Sequence, residues 1–272
     1  MDRDEVALLL ALLVCGPVLW LAGALVPPSR GDEQAAWRRL WIPAVCASVP
    51  FAVLSGWAAA DMEGPQELDV TRLVASTPFA LVWIRAGVRA VRAWSLPRSG
   101  PAHVSGLLRP RITVSKELRD VLEPAELRAV LAHEEAHARH RDPLRIWLAQ
   151  ILTELQWPFS GARERLRCWM RALELARDEE ATREANADPA DLASAILKAA
   201  RLSPSSGAAT AALSDDEAFL EARVRRLLAP AREATPRRPA VLAPIAACLV
   251  VAAFVVGVCW AHPFVAHLAG HP

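Results

Sequence analysis

Three stretches of this chain, Val6–Val26, Leu40–Ala60 and Ala240–Trp260, are each 21 residues long and carry no charged side chain. A helix of that length crosses the ~30 Å hydrocarbon core of a bilayer, so these runs constrain the architecture more than any other feature. Leu73–Val91 is a weaker fourth candidate, with Arg85 and Arg89 near one end, where long basic side chains can reach back to the interface. Of the 31 basic and 30 acidic residues, only those two arginines fall in the four windows. The remaining charge sits at the density of an aqueous surface. The expected fold class is an α-helical integral membrane protein of about four spans with a mostly α, minor β aqueous domain. Its regions are a three-span part over 1–91, an insert over 92–238, a fourth span over 239–260 and a tail over 261–272.

Basic residues near the spans set the orientation. Arg30, Arg38 and Arg39 follow the first span, and Arg92 and Arg98 follow the third, whereas Asp61, Glu63, Glu67 and Asp69 dominate the loop after the second. Arg232, Arg237 and Arg238 precede the last. This pattern puts both termini outside and the insert in the cytoplasm of a bacterial-type inner membrane. The leader Met1–Glu5 is net acidic, so the first run reads as a span and not as a cleaved signal. A formal charge of +1 supplies no basic field for direct nucleic-acid binding. Four of the five cysteines lie in apolar runs, only Cys168 lies among charges, and no C-x-x-C pair occurs. A disulfide framework and a thiolate zinc site are both excluded.

Within the insert, His103–Val114 reads as short strands interrupted by Arg109-Pro110. Pro124 opens a helix to about Arg141, stopped by Asp142-Pro143. Leu144–Phe159 is amphipathic, Arg163–Glu184 and Pro189–Leu202 are further helices, and Ser203–Leu213 is a loop. Ser214-Asp-Asp-Glu217 starts a last helix through Leu228.

The first of these helices contains His133-Glu134-Glu-Ala-His137, an H-E-x-x-H pattern. Four-residue spacing puts His133 and His137 on one helix face, so both imidazoles can meet one ion. Glu134 projects about 100° around the helix, in reach of a metal-activated water. This is the zinc-hydrolase arrangement, with two imidazoles on Zn²⁺ and a glutamate as general base. The bland alternative is a charged helix face with solvated histidines. His140 lies about 10 Å along the same helix from His133 and cannot complete a tetrahedral site. Downstream, Glu174 and Asp178 share a helix face at i, i+4. Glu174 could ligate while Asp178 accepts a hydrogen bond from a ligand imidazole; on spacing alone, an ordinary surface helix is an equal reading.

The segments Gly106–Ser115, Glu126–Leu144, Leu155–Phe159, Glu174–Ala181 and Arg223–Leu228 together resemble the BlaR/MecR-type antirepressor membrane zinc metallopeptidases. The resemblance covers roughly residues 1–260. It implies that Glu174 is the third ligand of one Zn²⁺, that Asp178 supports the site, and that a cytoplasmic protease acts on a protein such as a helix-turn-helix repressor. Sensor members carry an extracellular penicillin-binding domain after the last span. Here only Ala261–Pro272 follow it, so a sensor-less member is expected, its signal arriving through the membrane part, the 61–72 loop or a partner. HtpX- and CAAX-type quality-control peptidases share both motifs but place spans between them; they are the second enzyme reading. A zinc-binding signalling scaffold without catalysis is the third. With no tyrosine in the chain, the group stabilising the transition-state oxyanion must be His140, an arginine or backbone amides. The strand at Ile112–Val114 is a candidate for pairing with extended substrate.

Overall fold

Pro124 fixes the start of the helix around which the aqueous part is arranged. The computed structural model describes residues 33–45, 70–95, 100–157, 161–183, 187–202 and 210–229. Residues 33–45 are helical and are termed α1. Next come α2 (Val70–Ser95), β1 (Ala102–Ser105), β2 (Arg111–Val114), α3 (Lys116–Val121) and α4 (Pro124–Arg139). Then follow α5 (Asp142–Glu154), α6 (Gly161–Arg183), α7 (Pro189–Leu202) and α8 (Thr210–Leu228). A mostly helical domain with one small sheet is the composition of a zincin-like fold.

The two strands pair antiparallel, Ala102 opposite Val114 and Ser105 opposite Arg111. Gly106 leaves β1 at φ 84°, and a Cβ there would lie 2.4 Å from the Arg109 carbonyl oxygen, so the turn accepts only glycine. At the head of α4 the Glu126 carboxylate accepts the Glu123 N–H at 2.7 Å, which satisfies one of the helix's open donors. The same carboxylate accepts from Ser194 Oγ and Lys198 Nζ, both at 2.6 Å, tying α7 to α4.

Two apolar clusters flank α4 and α6. Leu40, Ala149, Trp169 and Leu173 join α1, α5 and α6. Ala129, Ala132, Ala181 and Leu192 join α4, α6 and α7, with Leu227 of α8 packed against them. The alanines let the helix axes approach closely, which brings side chains of α4 and α6 into mutual reach. Trp147 Nε1 of α5 donates to the Ala90 carbonyl of α2 at 2.9 Å, and Trp94 meets the Trp147 ring edge-on.

Several boundaries differ from expectation. Thr210–Leu213, read as loop, is helical; the Ser214-Asp-Asp-Glu217 signature lies inside α8, because the alanine-rich residues before it also favour helix. The short α3 has no counterpart in the sequence reading. Among the described residues no helix is long and apolar enough to cross a membrane. That includes α2, which covers the weaker candidate Leu73–Val91: it is long enough, but its arginines keep it short of a span's apolarity, and Arg85 and Arg89 approach Glu154 of α5 at 2.9 and 4.0 Å. The runs Val6–Val26 and Ala240–Trp260, the tail 261–272 and most of Leu40–Ala60 lie outside the described residues.

Candidate metal centre

Helix α4 presents His133 and His137 one turn apart, both buried, with their Nε2 atoms 3.1 Å from each other. From α6, Glu174 brings one carboxylate oxygen to 3.5 Å from His133 Nε2 and the other to 3.5 Å from His137 Nε2. Ligands at zinc bond lengths of about 2.05 Å in a tetrahedron stand roughly 3.3 Å apart. The three residues therefore fit around one ion, and no other group of three His, Cys, Asp or Glu among the described residues does so. Glu174 keeps 31% of its side-chain surface open, toward which a ligand could approach.

The outward ring nitrogens are also engaged. His137 Nδ1 bonds Asp142 Oδ2 at 2.9 Å. His133 Nδ1 lies 3.0 Å from Asp178 Oδ1, a bent contact short of a full hydrogen bond. Both carboxylates fix their imidazoles with Nε2 turned inward, the arrangement that sets tautomer and basicity of a metal-bound histidine. Each carboxylate is held in turn by an arginine. Arg177 contacts Asp142 at 2.6 and 3.1 Å, and Arg223 of α8 contacts Asp178 at 2.8 and 2.7 Å. Arg223 Nη1 also reaches Glu174 Oε2 at 3.1 Å, so one guanidinium neutralises both α6 carboxylates.

The electrostatics follow from burial set against these partners. Burial pulls the His137 imidazole down, but the Asp142 and Glu174 carboxylates outweigh it and lift it to about 9. His133 is raised by Asp178 and Glu174 against the same burial. Burial would raise Glu174, yet its histidine contacts and Arg223 hold it well below the usual carboxylate range. Asp178 is lowered against burial by His133 and Arg223, and Asp142 by His137 and Arg177. Glu134 differs: burial raises it and the Glu174 charge adds to this, with the charges of His133, His137 and His103 opposing. A carboxylate with a raised proton affinity beside a metal-binding triad is suited to take a proton from water.

These groups open on a cavity of about 390 Å³ whose wall includes Pro101, Ala102–Val104 of β1, Glu134, Arg223 and the apolar side chains of α7. The strand lining it is β1; the candidate substrate-pairing segment Ile112–Val114 is β2, paired behind it. His140 is not in the wall but contacts Glu180 at 2.9 Å. Residue spacing brought His133, Glu134, His137, Glu174 and Asp178 into consideration, and all five meet here. Asp142 and Arg223 were given no role from sequence. In the chain Asp142 reads only as part of a helix stop, and it reaches His137 because Arg141 takes a left-handed conformation at φ 52°, reversing the chain between α4 and α5.

Residues 99–227 match the family model described as BlaR1 peptidase M56. The match covers just under half of the chain and makes this segment similar to that family. The match is to a metallopeptidase family, and it takes in both strands, α3 to α7 and nearly all of α8. Comparison with the curated proteins and with the solved structures returns no match.

Proposed function

We propose that the chain is a membrane-anchored zinc endopeptidase of regulatory type that cleaves a cytoplasmic protein, such as a helix-turn-helix repressor. The convergence of His133, His137 and Glu174 within 3.1–3.5 Å, with Glu134 on the same cavity, supports this reading most strongly. His133 Nε2, His137 Nε2 and a Glu174 oxygen would hold the ion. Bound zinc supplies the acidification of water and the polarisation of the scissile carbonyl. Glu134 takes the proton of the attacking water and returns it to the departing amine. Asp142 and Asp178 hold the two imidazoles in the ligating tautomer. Arg223, the arginine in the cavity wall, is placed to receive charge developing on the carbonyl oxygen. The outer edge of β1 is the side on which an extended substrate could add as a strand.

Anchoring rests on the three charge-free runs and on α2, whose Leu81, Ile84, Val88 and Val91 form an exposed apolar stripe, with the Arg85–Glu154 pair along its edge. With the N-terminus outside, and α2 counted as the third crossing although its arginines leave it less apolar than a typical span, the catalytic domain lies in the cytoplasm and a fourth crossing returns the C-terminus outside.

The test compares cytoplasmic protein fragments in cells carrying the wild type and Glu134→Gln. One repressor-like protein that persists intact only in the variant supports the reading. Many stabilised misfolded membrane proteins would favour the quality-control peptidase, and unchanged signalling by a zinc-loaded variant would favour the scaffold.

A further inference from the structure

The carboxylate that holds His137 is connected to a part of the chain outside the matched peptidase segment. Asp142 is almost wholly buried, at 1% side-chain exposure, and accepts from two arginines. Arg177 takes one edge, and Arg145 Nη1 reaches Oδ1 at 3.0 Å. The Arg145 guanidinium lies 5.5 Å from the Trp37 ring centre and 5.6 Å from that of Trp169, rings themselves 4.9 Å apart. Its other terminal nitrogen, Nη2, donates to Glu33 Oε1 of α1. Trp169 Nε1 approaches the same Glu33 oxygen at 3.4 Å. Charged and aromatic groups therefore run unbroken from α1 to a candidate ligand: Glu33, Arg145, Asp142, His137. The family match starts at residue 99, whereas α1 ends in the charge-free run Leu40–Ala60.

We propose that Glu33 is a positioning residue for the metal centre, acting through Arg145 and Asp142 on His137, so that the placement of α1 sets how tightly the site holds its metal. The inference rests on the reading of His133, His137 and Glu174 as ligands. Arg177 grips both Asp142 oxygens from one side, and Arg145 adds a third donor on Oδ1. Arg145 stays in place because Glu33 and the two tryptophans hold its guanidinium against solvent. If α1 shifts, Arg145 loses its anion, Asp142 loses a fixed donor, and His137 loses its defined orientation. A displacement in the membrane-proximal part of the chain would thereby reach the metal without any contact to it.

Zinc affinity of the purified full-length chain, read by competition with a chromogenic chelator, tests this. Partners of ligand imidazoles change metal affinity by roughly 10–100-fold when removed. Glu33→Gln, two contacts further out, is expected to weaken zinc about tenfold, and Glu33→Asp by less. The effect must pass through Asp142, so Glu33→Gln should add nothing to the loss caused by Asp142→Asn. Wild-type affinity in Glu33→Gln, or a shift that adds in full to that of Asp142→Asn, would overturn the proposal and leave Glu33 as a docking contact for α1. Should Glu33→Gln fail to fold, Arg145→Lys, which keeps the charge but cannot bridge both carboxylates, is read against the same criteria. Absence of zinc from the wild type itself would instead remove the metal reading on which the proposal stands.

Discussion

At the residue scale the site is a balance of buried charges, and two consequences can be measured. A protonated imidazole cannot ligate, so zinc must displace the protons that Asp142 and Glu174 hold on His137. With His137 raised from its ordinary 6.5 to about 9, zinc affinity should climb about tenfold per pH unit per displaced proton and level off only near pH 9. The sign is the reverse for the metal-free fold: the raised imidazole stabilises it fully below pH 6.5, and that contribution is lost as pH rises through about 9. Chelator competition from pH 6 to 9.5 reads the first effect; a pH-independent affinity would contradict it. Asp142→Asn should move the plateau to lower pH. The second consequence concerns Arg223, which neutralises Glu174 and Asp178 together. Removing one partner of a buried ion pair costs about 3–5 kcal/mol, so Arg223→Ala should melt markedly earlier without metal. Saturating zinc should recover part of the loss, since it binds the folded state and restores a cation beside Glu174. Equal melting of wild type and variant would place the cation elsewhere.

At the element scale, the turn between α4 and α5 decides whether Asp142 reaches His137. Arg141 occupies left-handed backbone at a cost of roughly 1–2 kcal/mol for a residue with a side chain. Arg141→Gly should keep or raise the melting temperature with zinc affinity intact, while Arg141→Val should lose stability and affinity together; the reverse order would contradict the role given to this turn. The same turn explains what could be read from the chain. Spacing alone puts His133 and His137 on one face of a helix that Pro124 and Asp142-Pro143 delimit, because local geometry governs both. It cannot tell that Asp142 folds back, since that depends on one φ angle at Arg141. Nor can it pair Arg223 with Asp178 across 45 residues. α7 was legible to the residue, Pro189–Leu202, whereas the six-residue α3 is too short to show a period; its signal is Ser115, whose hydroxyl accepts the Leu118 N–H at 3.2 Å.

At the scale of the whole molecule, a domain with two histidines, four carboxylates and two arginines at its heart is coupled to helices that precede it in sequence. α2 lies along α5 through Trp147 and the Arg85–Glu154 pair, and α1 packs Leu40 and Trp37 against Trp169. The membrane reading thus has the anchors touching the elements that carry the site. Its topology is testable with the native exposed thiol of Cys168. A membrane-impermeant thiol reagent should label Cys168 only after cells are permeabilised, and should label Gly64→Cys in intact cells. Labelling of Cys168 from outside would invert the orientation.

Zinc per chain in purified full-length protein bears most directly on the metal centre. One zinc is expected in the wild type and in Glu134→Gln, which should keep the ion and lose cleavage, and markedly less in His133→Ala, His137→Ala and Glu174→Ala. Stoichiometric zinc surviving unchanged in Glu174→Ala would contradict the assignment of the third ligand and with it the centre described.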